Sequence, residues 1–252
     1  MGWVLAAFGL GVYAVALVAL APATLVDARL QAAGEGRLRL AEARGSLWSG
    51  AGWIEVRDAQ GKAGVARRLA WRVLPASLLR ARLVAQVTLE QAARPFPVSL
   101  SLARVEIADA ALQLPAAALG LGVPALAPLR LKGEVLVNIA QLSLERGSVR
   151  GEATLRWRGA GSALTPIAPL GDYEVRFTAA GTAVHGALRT LEGPLELEGA
   201  GSWSSGAAPS YRITARVQPQ HQDQLGPLLR LIAVERFAGR FEIDSAGAAF
   251  GS

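Results

Sequence analysis

Two histidines, His185 and His221, are the chain's whole supply of imidazole, and they stand far apart. Neither has a Glu, Asp or His at ligand spacing, there is no HExxH, and a three-ligand zinc site would need carboxylates from elsewhere. Cysteine is absent, which removes thiolate catalysis, Cys-based zinc sites and disulfides together. No GxSxG elbow occurs, and the serines fall mostly in Gly-Ser turns. Glu192, Glu196 and Glu198 come closest to an acid and base pair, yet Glu196 and Glu198 alternate with Leu195 and Leu197. That is the wet face of a strand. Asp172, directly after Gly171, reads as a turn residue whose short side chain bonds nearby backbone. Gly120-Leu-Gly122 and Gly199-Ala-Gly201 lack the third glycine and the strand-to-helix setting of a phosphate loop. These residues point away from an enzyme, and no metal or cofactor is expected.

Binding chemistry is better represented. Between Arg57 and Arg82 the cations Arg57, Lys62, Arg67, Arg68, Arg72, Arg80 and Arg82 face Asp58 alone, a local excess of +6 that equals the net charge of the whole chain. The remainder is balanced. Such a stripe meets anionic lipid headgroups or an acidic partner, or is simply a solvated face. Nucleic acid is not expected as a partner, because aromatics are few in the stripe and no nucleic-acid motif is visible. Trp48, Trp53, Trp71, Trp157 and Trp203 read as strand packing, although a curved sheet lined with them could hold an acyl chain.

The elements that must carry these residues are strands. Leu69, Trp71 and Val73 alternate with Arg72, and Leu83, Ala85, Val87 and Leu89 alternate with Gln86, Thr88 and Glu90. Further period-two runs are Val98-Leu100-Leu102, Val135-Val137-Ile139, Tyr173-Val175-Phe177, Tyr211-Ile213-Ala215-Val217 and Phe237-Gly239-Phe241-Ile243. Each covers a core on one side and meets water on the other. With Gly, Ser and Pro punctuating them about every ten residues, they predict an antiparallel meander of about twelve strands. Helix is expected in short pieces: from Pro75 to Arg82, from Pro115 to Leu119, and around Leu225, Leu228, Leu229 and Ile232, with Pro227 in the first turn. Leu114–Leu129, rich in proline and alanine, reads as the crossing between two weakly related halves, about 27–113 and 130–252.

Met1–Val26 carries no charged side chain, and Asp27 is the first. A bilayer core takes roughly 20 apolar residues in a helix, so this run is long enough to span one. Ala21-Pro22-Ala23 resembles a signal cleavage site, but the apolar stretch exceeds the usual ~7–15 residues and no basic region precedes it. The reading is therefore an anchor over 1–26 and a β-rich domain over 27–252. The basic-residue rule would put Arg29, Arg37, Arg39 and Arg44 on the cytoplasmic side, but large following domains can translocate against that bias, so charge alone does not settle the side.

Several motifs carry a family resemblance. Gly45-Ser-Leu-Trp-Ser-Gly50, Leu69-Ala-Trp-Arg-Val-Leu-Pro-Ala-Ser-Leu-Leu79 and Leu170-Gly-Asp-Tyr173 are joined by Gly193-Pro-Leu-Glu-Leu-Glu-Gly-Ala-Gly-Ser-Trp203 and the closing segment Leu225–Ile243. In this order, over essentially the whole chain, they resemble the type II secretion system protein N family. The resemblance implies one inner-membrane helix, a periplasmic domain and no catalytic residues. It also implies partners among the secretion components, the inner-membrane platform or the secretin. The alternative resemblance is to AsmA-like envelope proteins, whose curved sheets handle lipid along an apolar groove.

Overall fold

The computed structural model describes residues 20–33, 36, 38–57, 65–80, 82–122, 124–204, 206–230, 233–237 and 239–245. Most of the expected anchor, residues 1–19, lies outside them. Among the described residues no helix is long and apolar enough to cross a membrane. The chain divides into two units, Met1–Glu90 and Gln91–Ser252.

The first unit is a helix laid on a four-strand antiparallel meander. It comprises α1 (Thr24–Ala33), β1 (Leu38–Gly45), β2 (Ser49–Val56), β3 (Val65–Leu74), a 3-10 turn (Pro75–Arg80) and β4 (Leu83–Leu89). Period two puts Leu40, Ile54, Leu69, Trp71, Val87 and Leu89 on one face, where Ala23, Val26 and Leu30 cover them. Asp27, in the first turn of α1, ties helix to sheet: its Oδ1 accepts from Leu40 N–H at 2.7 Å and its Oδ2 from Gln31 Nε2 at 2.7 Å. Trp71 lies over Gly50, where any Cβ would strike the indole, and its Nε1 donates to Leu47 O at 3.1 Å. The chain enters this unit clamped. Pro22 bridges to Ser46, Leu47 N–H donates to Ala21 O at 2.8 Å, and Ala21 and Ala23 are buried. Residues 21–26 are thus integral to this unit.

The second unit is a longer meander. Its strands are β5 (Phe96–Leu100), β6 (Arg104–Pro115), β7 (Leu131–Glu145), β8 (Ser148–Ser162), β9 (Gly171–Gly181), β10 (Ala183–Glu192), β11 (Leu195–Ser204), β12 (Ser210–Val217), β13 (Val234–Phe237) and β14 (Arg240–Asp244). Each pairs antiparallel with the next as far as β12; β14 then pairs with β12, leaving β13 at the edge. Short helical pieces from Ala116 to Leu129, including α2 (Leu119–Gly122), join β6 to β7, which pair with each other. A 3-10 turn (Pro219–His221) leads into α3 (Gln222–Leu229), whose Leu225 and Leu229 pack on Leu195, Ala215, Val217 and Phe241.

Three expectations are corrected. Fourteen strands occur among the described residues, against about twelve read from periodicity. The run Phe237-Gly239-Phe241-Ile243 is not one strand. Gly239, at φ +74°, turns the chain between β13 and β14, a conformation that an L side chain resists. Pro227 lies inside α3 instead of opening it; the proline at the start of the helical segment is Pro219, whose missing N–H suits a first turn. The Phe241 and Ile243 half of the misread run is nevertheless inward, as the alternation requires.

Strands β6 and β7 change phase together. Ala108 pairs with Gln141 and Ala110 with Ile139, so Asp109 (φ +50°) and Ala140 form an irregularity between them. Without it, Val105 and Ile107 would face opposite to Ala110, Leu112 and Leu114. With it, all five join Val135, Val137, Ile139, Leu142 and Leu144 on one apolar face.

Candidate functional site

The alternation of β3 splits the basic stripe between two faces. Arg68 and Arg72 point to the outer face, opposite α1, and both are exposed. The guanidinium of Arg68 sits 5.3 Å from the centroid of Trp53, its register partner on β2, and its backbone N–H donates to Glu90 at 3.3 Å. An exposed cation–π contact of this kind stabilises by about 0.5–1 kcal/mol. Arg67 has the parity of Leu69 and Trp71, so it lies at the end of the inner face, half-buried, its Nη1 donating to Ala66 O at 2.9 Å. Arg57 pairs with Glu55 at 3.2 Å. Arg82 is exposed just before β4. Arg80 closes the 3-10 turn, and Lys62 lies outside the described residues. The structure brings Arg68, Arg72 and Trp53 onto one surface, sends Arg67 to the other face and leaves Arg57 paired with Glu55.

The residues with chemically reactive side chains are dispersed. His185 is exposed on β10, and His221 ends the 3-10 turn before α3. Among the described residues no group of three His, Asp or Glu is placed to hold a metal ion. Glu196 and Glu198 face solvent while Leu195 is buried, as the alternation requires. Asp172 accepts from the Gly159 N–H at 2.8 Å, reaching the neighbouring strand and not its own turn.

Sequence reasoning missed the most developed polar cluster. Arg156, Glu174 and Arg189 are register partners on β8, β9 and β10, so their side chains meet on the polar face. Glu174 is 2% exposed, yet it is roofed by arginines rather than sunk in the core: Arg156 Nε donates at 2.7 Å, Arg189 Nη2 at 2.6 Å, and Arg176 stands 3.7 Å away. Its hydrogen bonds from Arg156 and Arg189 hold the carboxyl below the usual carboxylate range against the cost of desolvation. The three residues lie 15 and 18 positions apart in the chain, and only register joins them. Beside them an open concavity of about 890 Å³ is lined by Glu196, Glu198, Arg212, Arg216 and Arg240 among others. Cations and carboxylates alternate across its strands, as in the register pair Glu196 and Arg216.

The opposite, apolar face of the second unit is covered unevenly. Tyr173 is buried near α3, its hydroxyl 2.9 Å from Leu195 O and 3.2 Å from Leu170 O; burial and then Asp172 push its pKa up. Towards the hairpin turns β7–β8, β9–β10 and β11–β12 the cover thins. Val149, Phe177, Ala179 and Val184 are half-buried and Trp203 is exposed. The Trp203 ring lies over Gly186 and Gly201, 6.2 Å from Phe177, filling the space their missing side chains leave.

A meander with this order of elements is what the motifs quoted above require, and comparison with known families decides among the meanders. The model of type II secretion system protein N matches residues 14–244. The chain belongs to that family. As a type II secretion system protein N family member it is a component of that system, associates with its other components and has its place in the cell envelope. Neither the curated proteins nor the solved structures gave a match.

Proposed function

We propose that this family member is a non-enzymatic scaffold of the type II secretion machinery, anchored in the inner membrane by its first residues, with both units in the periplasm. Family membership over residues 14–244 carries the reading. It is supported by the uncharged run before Asp27 and by the scattered positions of the histidines and carboxylates. The protein then works by contact, and the outer face bearing Arg68, Arg72 and Trp53 is the surface offered to an acidic partner. The inner-membrane platform and the secretin are the expected partners. Co-purification from detergent-solubilised envelope tests this: partners should be recovered with the native chain and reduced by R68E with R72E. Unchanged recovery would move the contact elsewhere, and no secretion component in the eluate would overturn the scaffold reading.

One observation favours a second reading, lipid handling as in AsmA-like proteins. The apolar face around Phe177, Val184 and Trp203 is only half covered, which gives an acyl chain a surface to lie on. Stoichiometric phospholipid in the purified protein would support it.

A further inference from the structure

In the first unit, the turn between β1 and β2 and the turn between β3 and β4 lie at the same end of the sheet. Ser49 pairs with Arg72, and Val73 N–H donates to Trp48 O at 2.7 Å. The chain also enters at this end, through the clamp of Ala21, Pro22 and Ala23 on Gly45, Ser46 and Leu47. Leu20, just before the clamp, is 79% exposed. The 3-10 turn Pro75–Arg80 presents two more leucines at this end, Leu78 at 45% and Leu79 at 92% exposed, and Leu74 at the end of β3 is exposed beside them. Arg72 and Arg82 flank the leucines, both exposed and neither holding a carboxylate among the described residues.

Large aliphatic side chains at the tip of a turn are costly in water unless something takes them up. Here the neighbouring chain is the uncharged Met1–Ala19. We infer that the end of the first unit formed by Leu20, Leu74, Leu78 and Leu79, with Arg82, rests on the surface of an anionic lipid bilayer. The leucines enter the boundary between headgroups and acyl chains, and Arg82 meets lipid phosphate. The occupant is a bilayer because the clamp leaves no slack: Ala21 is already bonded to Leu47, so a chain leaving the membrane at Leu20 holds this end against it. The inference rests on the anchor reading above, and the test separates the two.

The chain has no cysteine, so a single introduced thiol carries a unique label. Full-length protein is reconstituted in vesicles of phosphatidylethanolamine and phosphatidylglycerol containing spin-labelled lipid. An environment-sensitive fluorophore is placed at L79C, at A66C and at V12C. Ala66 is exposed and eight positions back along β3 from Leu74, roughly 27 Å at about 3.4 Å per residue, so it reports the far end of the same unit. The expected result is a blue-shifted, quenched label at positions 79 and 12 and an unquenched one at 66. R82E in the L79C background should lower the docked fraction relative to the undocked by roughly fivefold or more, since one arginine at an anionic surface is worth about that factor. Quenching at 12 without quenching at 79 overturns the docking and leaves the anchor standing. Quenching at neither position overturns both. Equal quenching at 79 and 66 overturns a specific docked end.

Discussion

Truncating Trp71 removes an indole that covers Gly50, donates to Leu47 O and completes the cluster around Leu40 and Leu69. W71A should cost about 3–5 kcal/mol, read as a lower denaturant midpoint at an unchanged slope. Glu174 works by charge instead. Its pKa lies below the ordinary 4.5 in the folded chain, so its contribution to stability is complete above that value and is lost as pH falls through the depressed one. Thermal melts should therefore fall as pH drops below 4.5, and E174Q should flatten that fall while lowering the midpoint at neutral pH. Some slope will remain from Asp27. Burial raises its pKa, but the hydrogen bonds from Gln31 and Leu40 and the charge of Arg39 outweigh burial and leave it lowered. A pH profile identical for native and E174Q chains would show that the ionisation of Glu174 adds nothing to stability. The inward set Leu69, Trp71 and Val73 was legible from alternation alone. Glu174 was not, because its partners sit on separate strands and nothing local marks them.

At the scale of elements, the paired irregularity at Asp109 and Ala140 has a sharp consequence. Deleting Ala140 would leave Ile139, Leu142 and Leu144 at strict period two, so all three stay on the apolar face, while Asp109 loses the residue that stands opposite it. The deletion should therefore keep hydrogen-exchange protection along β7 and lower it in β6 beside Asp109; protection lost along the whole of both strands would show that the irregularity does more than restore the alternation. The sequence contains the cue, since apolar residues run 135, 137, 139 and then 142, 144. Period-two reading stops at Ile139 because it has no rule for a skipped residue. The error at Phe237–Ile243 has the same origin. A glycine can continue a strand or reverse it, and period two accepts either, so the turn at Gly239 was hidden inside an apparently unbroken run.

For the molecule as a whole, the basic excess was legible as a number but not as a surface. Seven cations in the stripe looked contiguous, whereas β3 sends Arg67 one way and Arg68 and Arg72 the other, and Arg57 is held by Glu55. The surviving outer patch is exposed, so ion screening acts on it fully. Recovery of secretion partners should decline steadily as salt is raised, through slower encounter more than faster release. Salt-insensitive recovery would indicate an apolar contact, with the open end of the second unit's sheet as the alternative surface.

The strand order of the second unit also fixes the order in which it can be made. From β5 to β12 every strand finds its partner immediately behind it in the chain, so a polypeptide delivered from its N-terminus can build the sheet as it arrives, paying little loop-closure entropy at each step. The last hairpin breaks the rule. β13 is delivered before β14, yet β14 is the strand that joins β12. β13 must wait, unattached to the sheet, until β14 has followed it and the two can dock together. Until then Ala215 and Val217 lack the cover of Phe241, and the β13–β14 hairpin is the last of the described strands to close on the sheet. A chain stopped short of that hairpin would hold a nearly complete sheet with its best-packed cluster still open to quality-control proteases.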